Sequence, residues 1–150
     1  MSVLANNQLR FPVLVIKRNT FYFFTDWAHF STGHRSAFVR NEYKNQFLLD
    51  SNGFGMTIAD AKKLHGIGFF NGWTLFGNQK IKLEYLVESD CRKYTVDEVK
   101  SLIINSLSKW QDLDDLENME SYINSATTII QIMNFLMKNP WTDAVNSKWY

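Results

Sequence analysis

A chain of 150 residues, 45% hydrophobic and 15% aromatic, has the size of one ordinary domain and a composition far from a disordered one. Its net charge of +1 excludes a general electrostatic pull toward nucleic acid or membrane, and its single cysteine, Cys91, excludes an internal disulfide. The start, MSVLANNQLR, lacks the basic and apolar regions of a signal peptide, and no run approaches the roughly 18 apolar residues of a membrane span. A soluble cytoplasmic protein is expected.

In chain order, the first part reads as sheet. Phe11 to Ile16 and Phe21 to Phe24 are short β-branched and aromatic runs. They are joined by Lys17-Arg-Asn-Thr20, a hairpin turn in which Asn19 tolerates positive φ. Pro12, lacking an N–H, belongs at a strand start or an edge. The loop TDWAHFSTGHR reads as polar and places Trp27 and Phe30 after a strand. Asn52-Gly53, between Phe47-Leu-Leu and Met56-Thr-Ile58, signals a second hairpin. The stretch Gly66 to Gly77, GIGFFNGWTLFG, has neither the glycine spacing nor the lysine of a phosphate loop, and reads as bulges and bends in aromatic strands. From Lys80 to Glu88, Ile81, Leu83, Tyr85 and Val87 alternate with charged residues, the period of a strand with one wet side.

The last third reads as helix. Thr95-Val-Asp-Glu98 has the spacing of a capping box, and Val96, Val99, Leu102, Ile103, Ser106, Leu107 and Trp110 follow as a helical stripe. A second helix is expected near Asp114 to Tyr122, with Leu116, Met119 and Ile123 inward. A third is expected to be capped by Ser125, to face inward with Ile129, Ile130, Met133, Leu136 and Met137, and to stop at Pro140. The tail from Trp141 has no clear period. The pattern predicts one α+β domain over 1–150: an antiparallel sheet over about 11–90 packed on helices over about 95–138.

Chemistry-bearing clusters are scarce. His29 and His34 are five apart, outside the i, i+4 spacing of helical metal ligands, and His65 precedes a glycine bend. Cys91 lies beside Arg92 and Lys93, yet no partner base can be assigned, and it reads as an incidental thiol in a connector. Asp50, Asp60 and Glu42 sit in polar, turn-like surroundings rather than as a paired acid and base. No catalytic residue, metal, cofactor or small-molecule substrate is expected. Arg35, Arg40, Lys44, Lys62 and Lys63, mixed with Phe38, Tyr43 and Phe47, have the ingredients of nucleic-acid contact, but the basic excess is small and no module signature is present.

Charge is uneven along the chain. Residues 1–90 carry 10 Lys/Arg and 7 Asp/Glu, a balance of +3, and residues 91–150 carry 6 and 8, a balance of −2. Between 97 and 120, seven acids meet two lysines. Five of those acids, Asp112, Asp114, Asp115, Glu117 and Glu120, fall within WQDLDDLENME.

The succession FPVLVIKRNTFYFF, LLDSNGFGMTIADAKKL, GFFNGWTLFGNQKIKLEY, a capped helix and SATTIIQIMNFL, spanning about residues 11–137, resembles small bacterial immunity proteins. Such proteins accompany secreted polymorphic toxins, including those of contact-dependent growth inhibition. The resemblance implies a cytoplasmic protein without chemistry of its own that occludes the active site of one cognate toxin C-terminal domain. It carries over no functional residues. Under that reading, Asp112, Asp114, Asp115, Glu117 and Glu120 match a basic nuclease cleft, and Trp27 with Phe30 offers aromatic anchors. The same residues also fit structural roles: the acids can start a helix at the positive end of its dipole, and Trp27 can roof the sheet edge. The alternative function is an adaptor or nucleic-acid-associated binding domain.

Overall fold

The computed structural model describes residues 1–109 and 116–138. The strands are β1 (Ser2–Val3), β2 (Val13–Lys17), β3 (Thr20–Phe24), β4 (Thr32–His34), β5 (Gln46–Asp50), β6 (Phe54–Gly66), β7 (Lys80–Val87) and β8 (Arg92–Lys93). The helices are α1 (Trp27–Phe30), α2 (Arg35–Val39), α3 (Val96–Leu107), α4 (Leu116–Ser125) and α5 (Ile129–Met137). The sheet is antiparallel in every pair, ordered β1-β7-β6-β5-β2-β3. β4 follows β1 along the outer edge of β7, and β8 takes the start of β6. This is the α+β architecture expected from the alternation of the first part and the helical period of the last.

Both expected hairpins form. Between β2 and β3 the two turn residues, Arg18 and Asn19, have φ of 48° and 65°, the doubly positive turn whose twist matches the flanking strands. Between β5 and β6, Gly53 takes φ 91°, and the Asp50 carboxylate accepts backbone N–H bonds from Arg10, Asn52 and Phe54. Asp50 is thus a buried structural brace, not part of an acid–base pair.

Alternation gives the sheet two apolar faces. Leu14, Phe21, Phe23 and Leu49 point toward the helical layer, where Ile103, Leu107, Ile123, Ile132 and Leu136 complete one core. Val15, Leu48, Ile58, Leu83 and Tyr85 point the other way, into a second core closed by Leu4, Leu9 and Phe30. The segment expected to be a polar loop supplies that cover. Asp26 caps α1 by accepting the His29 N–H, and the turn swings Phe30 under the sheet.

The helical expectations hold with shifts of phase. Thr95 and Glu98 form the capping box of α3, which buries Val99, Ile103, Ser106 and Leu107. α4 buries Met119 and Ile123. α5 is capped by Thr128 rather than Ser125, which instead ends α4 and donates its hydroxyl to the Tyr122 carbonyl. The inward face of α5 includes Ile132, while Ile130 is half-buried. Trp110 and Pro140, like the tail from Trp141, lie outside the described residues.

Candidate interaction surface

The most anomalous surface lies between β6 and β7. β6 continues past the apolar piece Met56-Thr-Ile58 and runs 13 residues to Gly66, roughly 40 Å of extended chain at about 3.3 Å per residue. Its partner β7 returns from Lys80, so the connection projects as a tip. There Phe69 is 94%, Phe70 85% and Phe76 97% exposed, Leu75 is fully exposed, and Trp73 is 44% exposed. Soluble surfaces scatter single apolar residues; five within eight positions form a patch that calls for a partner.

The expectation of bent aromatic strands over Gly66 to Gly77 therefore needs correction. The stretch forms a 3-10 turn at Phe69–Gly72 and one isolated bridge, Trp73 to Gln79. The backbone is drawn so tightly that a Cβ on Gly66 would meet the Asn71 carbonyl oxygen at 1.6 Å, and one on Gly72, at φ 86°, would meet the Lys80 oxygen at 2.1 Å. Phe70 and Asn71 are left-handed, with φ of 53° and 55°. For a bulky residue such as Phe70 that conformation costs on the order of 1–3 kcal/mol, and the ring it carries is out in solvent. Packing does not explain holding it there.

Polar groups beneath the tip keep it in shape. Buried Gln79 donates its side-chain N–H to the Asn71 carbonyl (2.7 Å) and accepts the Lys63 ammonium (2.8 Å). Asn78 accepts the backbone N–H groups of Ser36 and Gln79, and its carbonyl accepts the Thr74 N–H. Arg35 lies 5.5 Å from the Trp73 ring centroid, a cation over an aromatic face.

The charge along the stretch that forms the tip is one-signed, and acids return only at Asp60 and Glu84, the latter across from Lys62. From Ala61 to Leu83 the sequence holds Lys62, Lys63, Lys80 and Lys82 and no Asp or Glu, a formal +4. Lys62, Lys63, His65, Lys80 and Arg35 are exposed. The apolar groups lead and the cations stand behind them on the strands.

The other candidate residues are dispersed. Asp112, Asp114 and Asp115 lie outside the described residues. Glu117 is exposed in the first turn of α4, and Glu120, one turn on, is half-buried. Phe30 is not an exposed anchor: it is buried in the second core, its ring centroid 4.6 Å from that of Tyr85. Trp27 is half-buried, 5.7 Å from Phe30, and partly roofs that core. Asp26 pairs with His29 at 2.6 Å, and His65 lies 2.9 Å from the Gly66 carbonyl. Cys91 is an exposed free thiol. Among the described residues, no three His, Cys, Asp or Glu side chains are grouped to hold a metal.

A cleft of about 70 Å³ opens beside β3 and β4, walled by Val15, Tyr22, Phe24, Phe30, Tyr43 and Tyr85. Burial, and then the nearby Glu42 charge, raises the Tyr22 phenol. Burial also raises that of Tyr43, whose oxygen accepts the His34 backbone N–H. Burial opposes ionisation of Glu42, but hydrogen bonds and charge from Arg40 and Lys17 outweigh it and hold the carboxyl below its ordinary value. The cleft's charged groups are thus already paired with one another.

The tip is not legible in the sequence because Phe and Trp favour strands by propensity. Two signals mark it: an acid-free run of 23 residues, 61–83, and four glycines breaking every apolar stretch within it. No family model, curated protein or solved structure matches the chain.

Proposed function

We propose that this chain works by binding, as an immunity protein that neutralises a cognate secreted toxin domain and carries out no reaction itself. The observation that supports a binding role is the division of its surface. Helices α3 and α4, which carry Asp97, Glu98, Glu117 and Glu120, share a core with β2, β3 and β5, and an acid-free aromatic stretch joins β6 to β7. Phe69, Phe70, Leu75 and Phe76 belong to neither core of the fold.

The toxin contact that fits a basic nuclease cleft is the helical side. Carboxylates there occupy the place of nucleic-acid phosphates and speed encounter, whereas the lysines behind the tip would repel such a cleft. The residues proposed to carry the contact are Asp112, Asp114, Asp115, Glu117 and Glu120.

Co-expression with the toxin domain encoded beside this chain tests the reading. Growth should be restored against that toxin and no other, and the purified pair should form a one-to-one complex of nanomolar affinity or tighter, about −12 kcal/mol. Changing Asp112, Asp114 and Asp115 to Asn and Glu117 to Gln should slow association and flatten its salt dependence. Killing that is equal with and without this protein overturns the assignment.

A further inference from the structure

We propose that the tip between β6 and β7 is a peripheral membrane anchor that inserts Phe69, Phe70, Leu75 and Phe76 into the surface of an anionic lipid bilayer. Three observations point to this occupant. The first is the order of chemistry along the projection. The apex is apolar and fully solvated, and the cations stand a few residues back on β6 and β7, so entering rings reach acyl chains as the ammonium groups reach headgroup phosphates. The second is sign: Ala61 to Leu83 holds four lysines and no acid, and Glu84, across from Lys62, stands farther from the apex than Lys80, so the charge nearest the rings suits an anionic surface. The third is shape. Phe69, Phe70 and Phe76 stay exposed on a turn held by Gln79, Asn78 and the close crossings at Gly66 and Gly72, and a fluid interface accommodates such a surface without a matching pocket.

Trp73, half-exposed below the apex with Arg35 over its ring, sits at the depth where an indole prefers the interface. A single-stranded nucleic acid would also use rings and lysines. It would want the rings laid along a cationic track; Arg35 stands over Trp73, but among the described residues no cation is stacked on Phe69, Phe70 or Phe76. No helix of the described residues is long and apolar enough to cross a membrane, and none is needed for this mode of attachment. The inference goes beyond toxin binding and does not depend on it. Growth protection and vesicle binding are separate measurements, and either can fail alone.

The test is co-sedimentation of the full chain with vesicles of phosphatidylcholine alone and of phosphatidylcholine mixed with phosphatidylglycerol. Wild type should bind the anionic vesicles and release as salt is raised. The variant carrying Phe69→Ser, Phe70→Ser, Leu75→Ser and Phe76→Ser should bind them more than about tenfold more weakly. Lys62→Gln and Lys80→Gln should each weaken binding about fivefold. The replaced apolar side chains are solvent-exposed, so melting should be unchanged. If the fourfold variant melts lower, the Leu75→Ser and Phe76→Ser pair decides. Wild type remaining in solution with both vesicle types overturns the proposal, as does binding that ignores lipid charge or survives loss of the tip side chains. Tip-dependent self-association, or tip-dependent binding of a single-stranded oligonucleotide, without vesicle binding overturns it in favour of that occupant.

Discussion

Two short apolar segments end in opposite surroundings. α5, IIQIMNFLM, buries Ile129, Ile132, Met133 and Leu136, whereas the tip, GFFNGWTLFG, leaves Phe69, Phe70, Leu75 and Phe76 in solvent. The difference is one of period and backbone. α5 repeats its apolar residues at helical spacing behind a Thr128 cap, so one face can be laid on a sheet. Within the tip, glycines at 68, 72 and 77 with positive φ interrupt every run, so no single face gathers the side chains. Hydrophobicity by itself does not make a core; a repeating face does.

The comparison breaks if the two segments respond alike to truncation. Ile132→Ala and Leu136→Ala should each destabilise the fold by about 2–5 kcal/mol, since both side chains are fully buried in the helical core. Leu75→Ala and Phe76→Ala should stay within about 0.5 kcal/mol. Urea midpoints of the four variants measure this, and a tip variant as costly as a core variant would mean that the tip packs against something in solution.

A smaller effect sharpens the contrast from the backbone side. Gly72→Ala combines positive φ with a backbone oxygen 2.1 Å from the new Cβ, and should cost roughly 1–3 kcal/mol. Gly68→Ala has the same sign of φ but open space around it, so it should cost less. Equal midpoints would show that the crossing beneath the tip is not tightly held.

The smallest effect concerns the end of β6 opposite the tip, where charge serves the fold rather than a partner. The Thr57 hydroxyl and then its backbone N–H hydrogen-bond Asp90 and hold its carboxyl below the ordinary value. Because the folded-state pKa is depressed, the contribution is complete above the unfolded value and is lost as pH falls through the folded one. Stability of wild type should therefore drop slightly more between neutral and strongly acidic pH than that of Asp90→Asn. Parallel pH profiles for the two proteins would remove Asp90 from the fold's acid sensitivity.

Much of the architecture was legible in the residues, where local chemistry and tertiary demand agree. The Arg18-Asn19 and Asn52-Gly53 turns, the alternation of β7 and the Thr95 capping box each depend on a few adjacent side chains. The candidate surface was not legible. Trp27 and Phe30 looked like loop anchors, but Phe30 closes a second core that exists only once Leu4, Leu9 and the far side of the sheet come together.

The sequence by itself determined the two hairpin turns, the polarity of β7, the Thr95 capping box, the positive charge of 61–83 and the acidity of 97–120, because periodicity, caps and charge are properties of neighbours in the chain. Tertiary structure alone decided which aromatic residues meet water. A Phe on β3 and a Phe at position 69 are chemically identical, and exposure is settled by what distant segments arrive to cover. Helices reach Phe21 and Phe23; among the described residues, nothing covers Phe69 and Phe70 where β6 turns into β7.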